Sequence, residues 1–162
     1  QVGVGEVKAF AGSIERTGSV IVVAPQPPQI TTFLANPTVL PASGGDVYIA
    51  TAVADGDGIP VGNVKAEVFA PGDQLTALGM VVTNPNSALA SDDDPACFLD
   101  ATFGAVFSAP ANDNQPTADG IQAPENYSVR VRVTDRSGAS STSSFTDLVV
   151  QGIDQPPPSP TM

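Results

Sequence analysis

The side chains best equipped for chemistry in this sequence are carboxylates, and they fall in two clusters. Asp92-Asp93-Asp94 puts three acids on consecutive residues, and Asp55-Gly56-Asp57-Gly58 alternates acid with glycine. Several carboxylate and carbonyl oxygens on a short loop are what a hard cation such as Ca²⁺ requires. Both clusters are therefore candidate Ca²⁺ sites. The competing reading is a solvated turn, because Asp and Gly favour turns for local reasons. Asp55–Gly58 also lacks the remaining ligand positions of an EF-hand loop, including its distal Glu. Other chemistry is poorly served. The chain has no His and no Trp and a single Cys, Cys97. Without His there is no Ser-His-Asp or Cys-His activation. Cys97 has no imidazole to lower its pKa, and zinc lacks its usual nitrogen and sulfur ligands. Carboxylate pairs hydrolyse glycosides in other proteins, but the acids here sit in loops without an aromatic sugar platform. The expectation is a protein that is not an enzyme and carries no cofactor, save Ca²⁺ if a cluster closes around it.

Charge narrows the partners. Seventeen acidic against six basic residues give a formal net charge of −11. So few cations cannot build a basic patch, which disfavours nucleic acid and anionic membrane surfaces. No apolar run approaches the ~20 residues of a spanning helix, so no membrane insertion is expected. A chain that opens on Gln1 and shows no leader reads as a processed, secreted one, placing it outside the cell or on its surface. The lone Cys97 forms no intrachain disulfide and is expected to be buried.

The elements that must position these residues are strands. The 162 residues contain 15 Gly and 16 Pro, which punctuate strands and disfavour long helices. Val47, Ile49, Thr51 and Val53 alternate with Tyr48, Ala50 and Ala52, a period of two. Val64, Ala66 and Val68 alternate with Lys65 and Glu67. Tyr127, Val129, Val131 and Val133 alternate with Ser128, Arg130, Arg132 and Thr134. Phe103, Ala105 and Phe107 share a face, as do Leu148 and Val150. Gly44-Gly45, Asp55–Gly58, Pro71-Gly72-Asp73 and Asp135–Gly138 read as turns. Arg130 and Arg132 face away from the core, where pairing with Glu67 as exposed ions would contribute at most ~1 kcal/mol. Residues 109–126 and 84–97 are long loops, available for recognition.

Three parts follow: an arm at 1–28, a domain at 29–152 and a Pro-rich tail at 153–162. About seven strands at this spacing predict an all-β, immunoglobulin-like antiparallel β-sandwich with an extended N-terminal β arm. The arm carries the strong β-former Val20-Ile21-Val22-Val23, followed by the stiff Pro25-Gln26-Pro27-Pro28. Earlier, Val2, Val4, Val7 and Ala9 alternate weakly with a slip at Glu6, so the arm supplies one or two strands, which either add to its own sandwich or are donated to a neighbour.

The domain resembles the bacterial immunoglobulin-like domains repeated in surface proteins. The resemblance lies in Asn36-Pro37 with Leu40-Pro41-Ala42-Ser43-Gly44-Gly45, in Ala105–Asn112, and in Tyr127–Gly138. It implies adhesion, spacing or assembly, and places at Tyr127 a corner tyrosine whose hydroxyl bonds back to the main chain. The function expected is a subunit of an extracellular, pilus-like filament, joined head to tail with identical subunits by strand donation through Val20, Ile21, Val22 and Val23. The alternative is an adhesive or ligand-binding module of a larger surface protein. Asn126-Tyr127-Ser128 also matches a glycosylation sequon, with Tyr127 taken as a core residue.

Overall fold

A computed structural model describes residues 3–11, 14–22, 25–85 and 97–153, with side chains for 25–84 and 97–153. The described residues form strands joined by turns and one short 3-10 turn, Val61–Asn63. In chain order the strands are β1 (Gly3–Ala11), β2 (Ile14–Val22), β3 (Gln29–Asn36), β4 (Val39–Leu40), β5 (Gly45–Pro60) and β6 (Val64–Ala70). Then come β7 (Gln74–Gly79), β8 (Val81–Pro85), β9 (Cys97–Ala109), β10 (Glu125–Thr134), β11 (Ser140–Thr142) and β12 (Thr146–Val150).

One sheet runs β3-β5-β9-β8, and the facing sheet runs β4-β12-β10-β6-β7 with β11 also on β10. The two sheets pack face to face over a shared core as an all-β sandwich. The first strand is shared between sheets: β3 pairs with β5, the chain passes the cis Asn36–Pro37 bond, and β4 pairs with β12. The β4–β12 pair is parallel, so the second sheet is mixed and not wholly antiparallel as expected.

The core follows from the period-two pattern. Val47, Ile49, Val53 and Phe103 of one sheet meet Val64, Ala66, Val68, Val129, Val131, Val133, Leu148 and Val150 of the other, all essentially without solvent contact. Each of these Val, Ile, Leu and Phe side chains contributes roughly 1.5–3 kcal/mol by leaving water. Thr51 breaks the apolar run on the inner face, and its hydroxyl is satisfied by donating to Thr32 O at 2.8 Å. Cys97 is fully buried, as expected.

Two strand boundaries differ from the sequence expectation. Asp55–Gly58 does not turn the chain: β5 continues to Pro60, with Ala54 opposite Asp100 and Ile59 opposite Phe98, so residues 55–58 bulge out of the ladder. The reversal into β6 is made by Val61–Asn63 instead. The apolar run from Leu75 to Val82 is two strands in different sheets, divided at Met80. Its side chain is buried, and its amide donates to Val64 O at 3.1 Å.

Candidate functional site

The arm forms a sheet of its own. β1 and β2 pair antiparallel without a slip from Gly3–Val22 to Ala11–Ile14, across a two-residue connection. Val20, Ile21 and Val22 thus stand opposite Gly5, Val4 and Gly3, while Val23 lies outside the described residues. The arm thus supplies two strands, and among the described residues the Val-Ile-Val run pairs with Gly3, Val4 and Gly5 and with no strand of the sandwich. A lone two-stranded hairpin is marginal in water. Among the described residues no other strand bonds to either member of this one, so its two outer edges keep unpaired backbone groups. Pro25, Gln26 and Pro27 are exposed and Pro28 is buried. Four residues of extended, Pro-rich chain reach ~12 Å.

Edges of the sandwich are unequal. β3 is interrupted by a register shift between Ile30 and Thr32. β8 shifts register between Val82 and Asn84 and ends at Pro85. Bulges and proline are the devices that blunt an edge. β7 has neither: Gln74–Gly79 pairs with β6 in unbroken register and carries no charge and no Pro. Its inward positions lie over the core through Leu78, and Leu75 and Ala77 are exposed on the other face. On the outside of the other sheet Leu34, Tyr48 and Val106 are about half exposed, with Tyr48 directly opposite Val106.

Of the acidic candidates, Asp92, Asp93 and Asp94 lie outside the described residues. Asp55 and Asp57 stand on the β5 bulge, joined there by Asp135, which in the sequence has only the character of a turn residue. One carboxylate oxygen of each lies within 4.8 Å of the others. Asp55 Oδ1 accepts from the amides of Asp57 (2.6 Å) and Gly58 (3.1 Å). Partial burial pushes its carboxyl up, opposed by those amides and reinforced by the charges of Asp135 and Asp57. The bulge is stitched to the β10–β11 turn by Arg136 N donating to Gly58 O at 3.1 Å.

The loop 110–124 differs from a recognition loop in where its polar groups point. Asn112 Nδ2 donates to Ala123 O (2.8 Å) and Gln151 O (3.1 Å), and Gln122 Nε2 to Asn112 O (3.0 Å) and Asn114 O (2.8 Å). The loop is folded back on itself and on the end of β12. It is anchored by Glu125, 5% exposed, whose Oε1 accepts from Asp113 N at 2.9 Å and whose Oε2 accepts from Tyr127 Oη at 3.1 Å. Tyr127 is in the core as expected, but its hydroxyl bonds this carboxylate and not the main chain. Burial and then Glu125 push the Tyr127 pKa up to about 12.

Burial alone would raise Glu125, but the Asp113 amide and the hydrogen bonds of Asp113 and Tyr127 outweigh it and hold the carboxyl down. Asp113 moves the opposite way, because its carboxyl shares a hydrogen bond with Glu125 and feels that charge. An acid raised on folding supports the fold below its folded pKa and loses that support as pH rises through it. Asp113→Asn, which removes the repulsion and keeps a donor, should therefore melt above the wild type at pH 7, with the gap closing as pH falls toward 4. Paired thermal melts read this directly.

Glu67 is not the exposed partner expected. It is 5% exposed and sits between Arg130 (Nε–Oε2 2.6 Å) and Arg132 (Nη1–Oε1 3.6 Å). The Arg130 guanidinium lies over Phe69 (5.3 Å) and Phe145 (5.0 Å), two rings in edge-to-face contact.

Fold and strand order together define an all-β sandwich of two packed sheets, with the arm hairpin as a third, two-stranded sheet. No protein-family model matches the chain, and no curated protein matches it by sequence.

Proposed function

We propose that this chain is a non-catalytic structural module, outside the cell or on its surface, that joins identical copies head to tail by strand addition. The arm hairpin of one copy extends the second sheet of the next along its β7 edge. The observation that carries the reading is that one chain holds both a two-stranded hairpin whose outer edges bond no other strand among the described residues and a sandwich edge that is uncharged, unbulged and free of Pro. Main-chain hydrogen bonds along such an edge supply affinity, and alternate side chains supply specificity. A contact between two different surfaces of the same chain is heterologous, and it propagates into a filament when the rotation does not close. The sequence resemblance to bacterial immunoglobulin-like surface domains agrees with this use. The alternative, an adhesive module, draws on the apolar strip of Leu34, Tyr48 and Val106 and not on the loop 110–124, whose polar side chains bond within the fold.

The test is negative-stain electron microscopy and light scattering of the full chain beside Leu75→Lys/Ala77→Lys. Both substitutions are on exposed positions of β7, and edge lysines oppose strand addition. Filaments or higher oligomers of the parent that are lost in the variant, with melting preserved, are expected. A parent that stays monomeric at high concentration, or assembly that survives the two lysines, would exclude this mode.

A further inference from the structure

We propose that Asp55, Asp57 and Asp135 form a Ca²⁺ site at the end of the sandwich where the arm enters it. Three carboxylates converging within 4.8 Å are not by themselves a site. The decisive feature is Asp135, which is 2% exposed. Its Oδ1 is fully engaged, accepting from Ser137 Oγ at 2.7 Å and Ala139 N at 2.9 Å. Its Oδ2 is buried and has no hydrogen-bond partner. A buried carboxylate oxygen without a donor carries the full penalty of lost hydration. No basic side chain forms an ion pair with any of these acids among those recorded for the described residues. Asp135 also has a carboxylate oxygen within 4.8 Å of one on each of two further acids, which deepen the cost.

A cation removes all three penalties together. Ca²⁺ binds oxygens at 2.3–2.6 Å in flexible geometry, so ligand oxygens on opposite sides of one ion stand ~5 Å apart. The separation here fits one ion between the three. Mg²⁺ demands near-ideal octahedral geometry at shorter distances, and zinc prefers nitrogen and sulfur donors; Ca²⁺ suits an all-carboxylate set on two loops. The positions are also prepared in advance. Asp55 is fixed by its bonds to the Asp57 and Gly58 amides, Asp135 by the β10–β11 turn, and the two loops are tied by Arg136 N to Gly58 O. Asp57 is exposed and supplies the ligand from the solvent side. A cleft beside the bulge is lined by Gln26, Pro27, Asp55 and Gly56, so coordination would stiffen the loop against which the linker runs.

The experiment is calorimetric titration of CaCl₂ into the full chain after chelator treatment, with thermal melts in parallel. One site with Kd on the order of 10⁻⁴ M is expected, with the melting midpoint rising by roughly 5 °C at saturation. Asp57→Asn, at an exposed residue whose side chain holds up no turn, should weaken binding at least about tenfold and, because it removes one of the repelling charges, should not lower the metal-free melt. Asp135→Asn should also abolish binding. The triple change Asp92→Asn/Asp93→Asn/Asp94→Asn should leave it intact. Absence of heat and of any melting shift at about 10 mM Ca²⁺, far above that Kd, would overturn the site. So would binding that survives Asp57→Asn and is lost in the triple variant.

Discussion

Replacing Arg130 with Met will cost the fold about 3 kcal/mol, the typical loss when a buried ion pair is left with one member. Glu67 is buried against Arg130, whose guanidinium in turn lies over the Phe69 and Phe145 rings. Without the guanidinium, its carboxylate keeps only Arg132, at 3.6 Å and more than half exposed. Part of the loss is the cation–π contact itself, about 0.5–1 kcal/mol per ring at partly exposed sites. Met preserves most of the side-chain volume, so the change reports charge and not a cavity. The double variant Arg130→Met/Glu67→Leu should recover most of the loss, because removing both members removes the stranded charge. Urea unfolding of the two variants measures the difference. Equal destabilisation of single and double would show that ring packing, and not the ion pair, dominates.

Gly44→Ala is the second large effect. Gly44 has φ 74°, and its amide closes the turn by donating to Pro41 O at 2.9 Å. An Ala there meets two costs. The left-handed backbone costs about 1–2 kcal/mol for a residue with a Cβ. A Cβ would also run into the backbone carbonyls of Ala109 and Pro110, which are main chain and cannot swing aside; forced overpacking adds about 1–3 kcal/mol. Gly138 isolates the first cost, since its φ is 87° but nothing stands near its Cβ position. Gly138→Ala should therefore lose about 1–2 kcal/mol and Gly44→Ala about 2–5 kcal/mol. Denaturant midpoints of the pair decide whether the contact of the Gly44 turn with the start of the long loop is as tight as its geometry.

Much of the sandwich was legible because burial on one face of a strand leaves a period of two. Val47–Val53, Val64–Val68 and Tyr127–Val133 all point inward on the residues their alternation named. What left no such mark was missed. The change of sheet at Met80 is invisible to periodicity, since Leu75–Val82 is apolar on both sides of it. The bulge at Asp55–Gly58 has turn composition, so it read as the end of β5. Asp135 has a local reason to exist, capping its own turn, and only the folded chain brings it to Asp55, eighty residues away in sequence. Arg130 stands on the outer face as its alternation says, but the ring its guanidinium lies over, Phe145, is remote in sequence and stands outside any strand. The partner of Val20–Val22 was within the arm, where Val4, Val7 and Ala9 alternate only weakly, which left open whether the arm held one strand or two.

The parallel pair β4–β12 has a mechanical consequence. Val149 N donates to Thr38 O and Gln151 N to Leu40 O, both at 2.9 Å. Tension applied to the chain before β3 and after β12 pulls these two strands in opposite directions along their length. Their cross-strand bonds lie across that direction, so they are strained together in shear and not opened one after another like a zipper. A copy loaded through its hairpin at one end and its C-terminal strand at the other would therefore resist stretching as a latch, with this short ladder bearing the force.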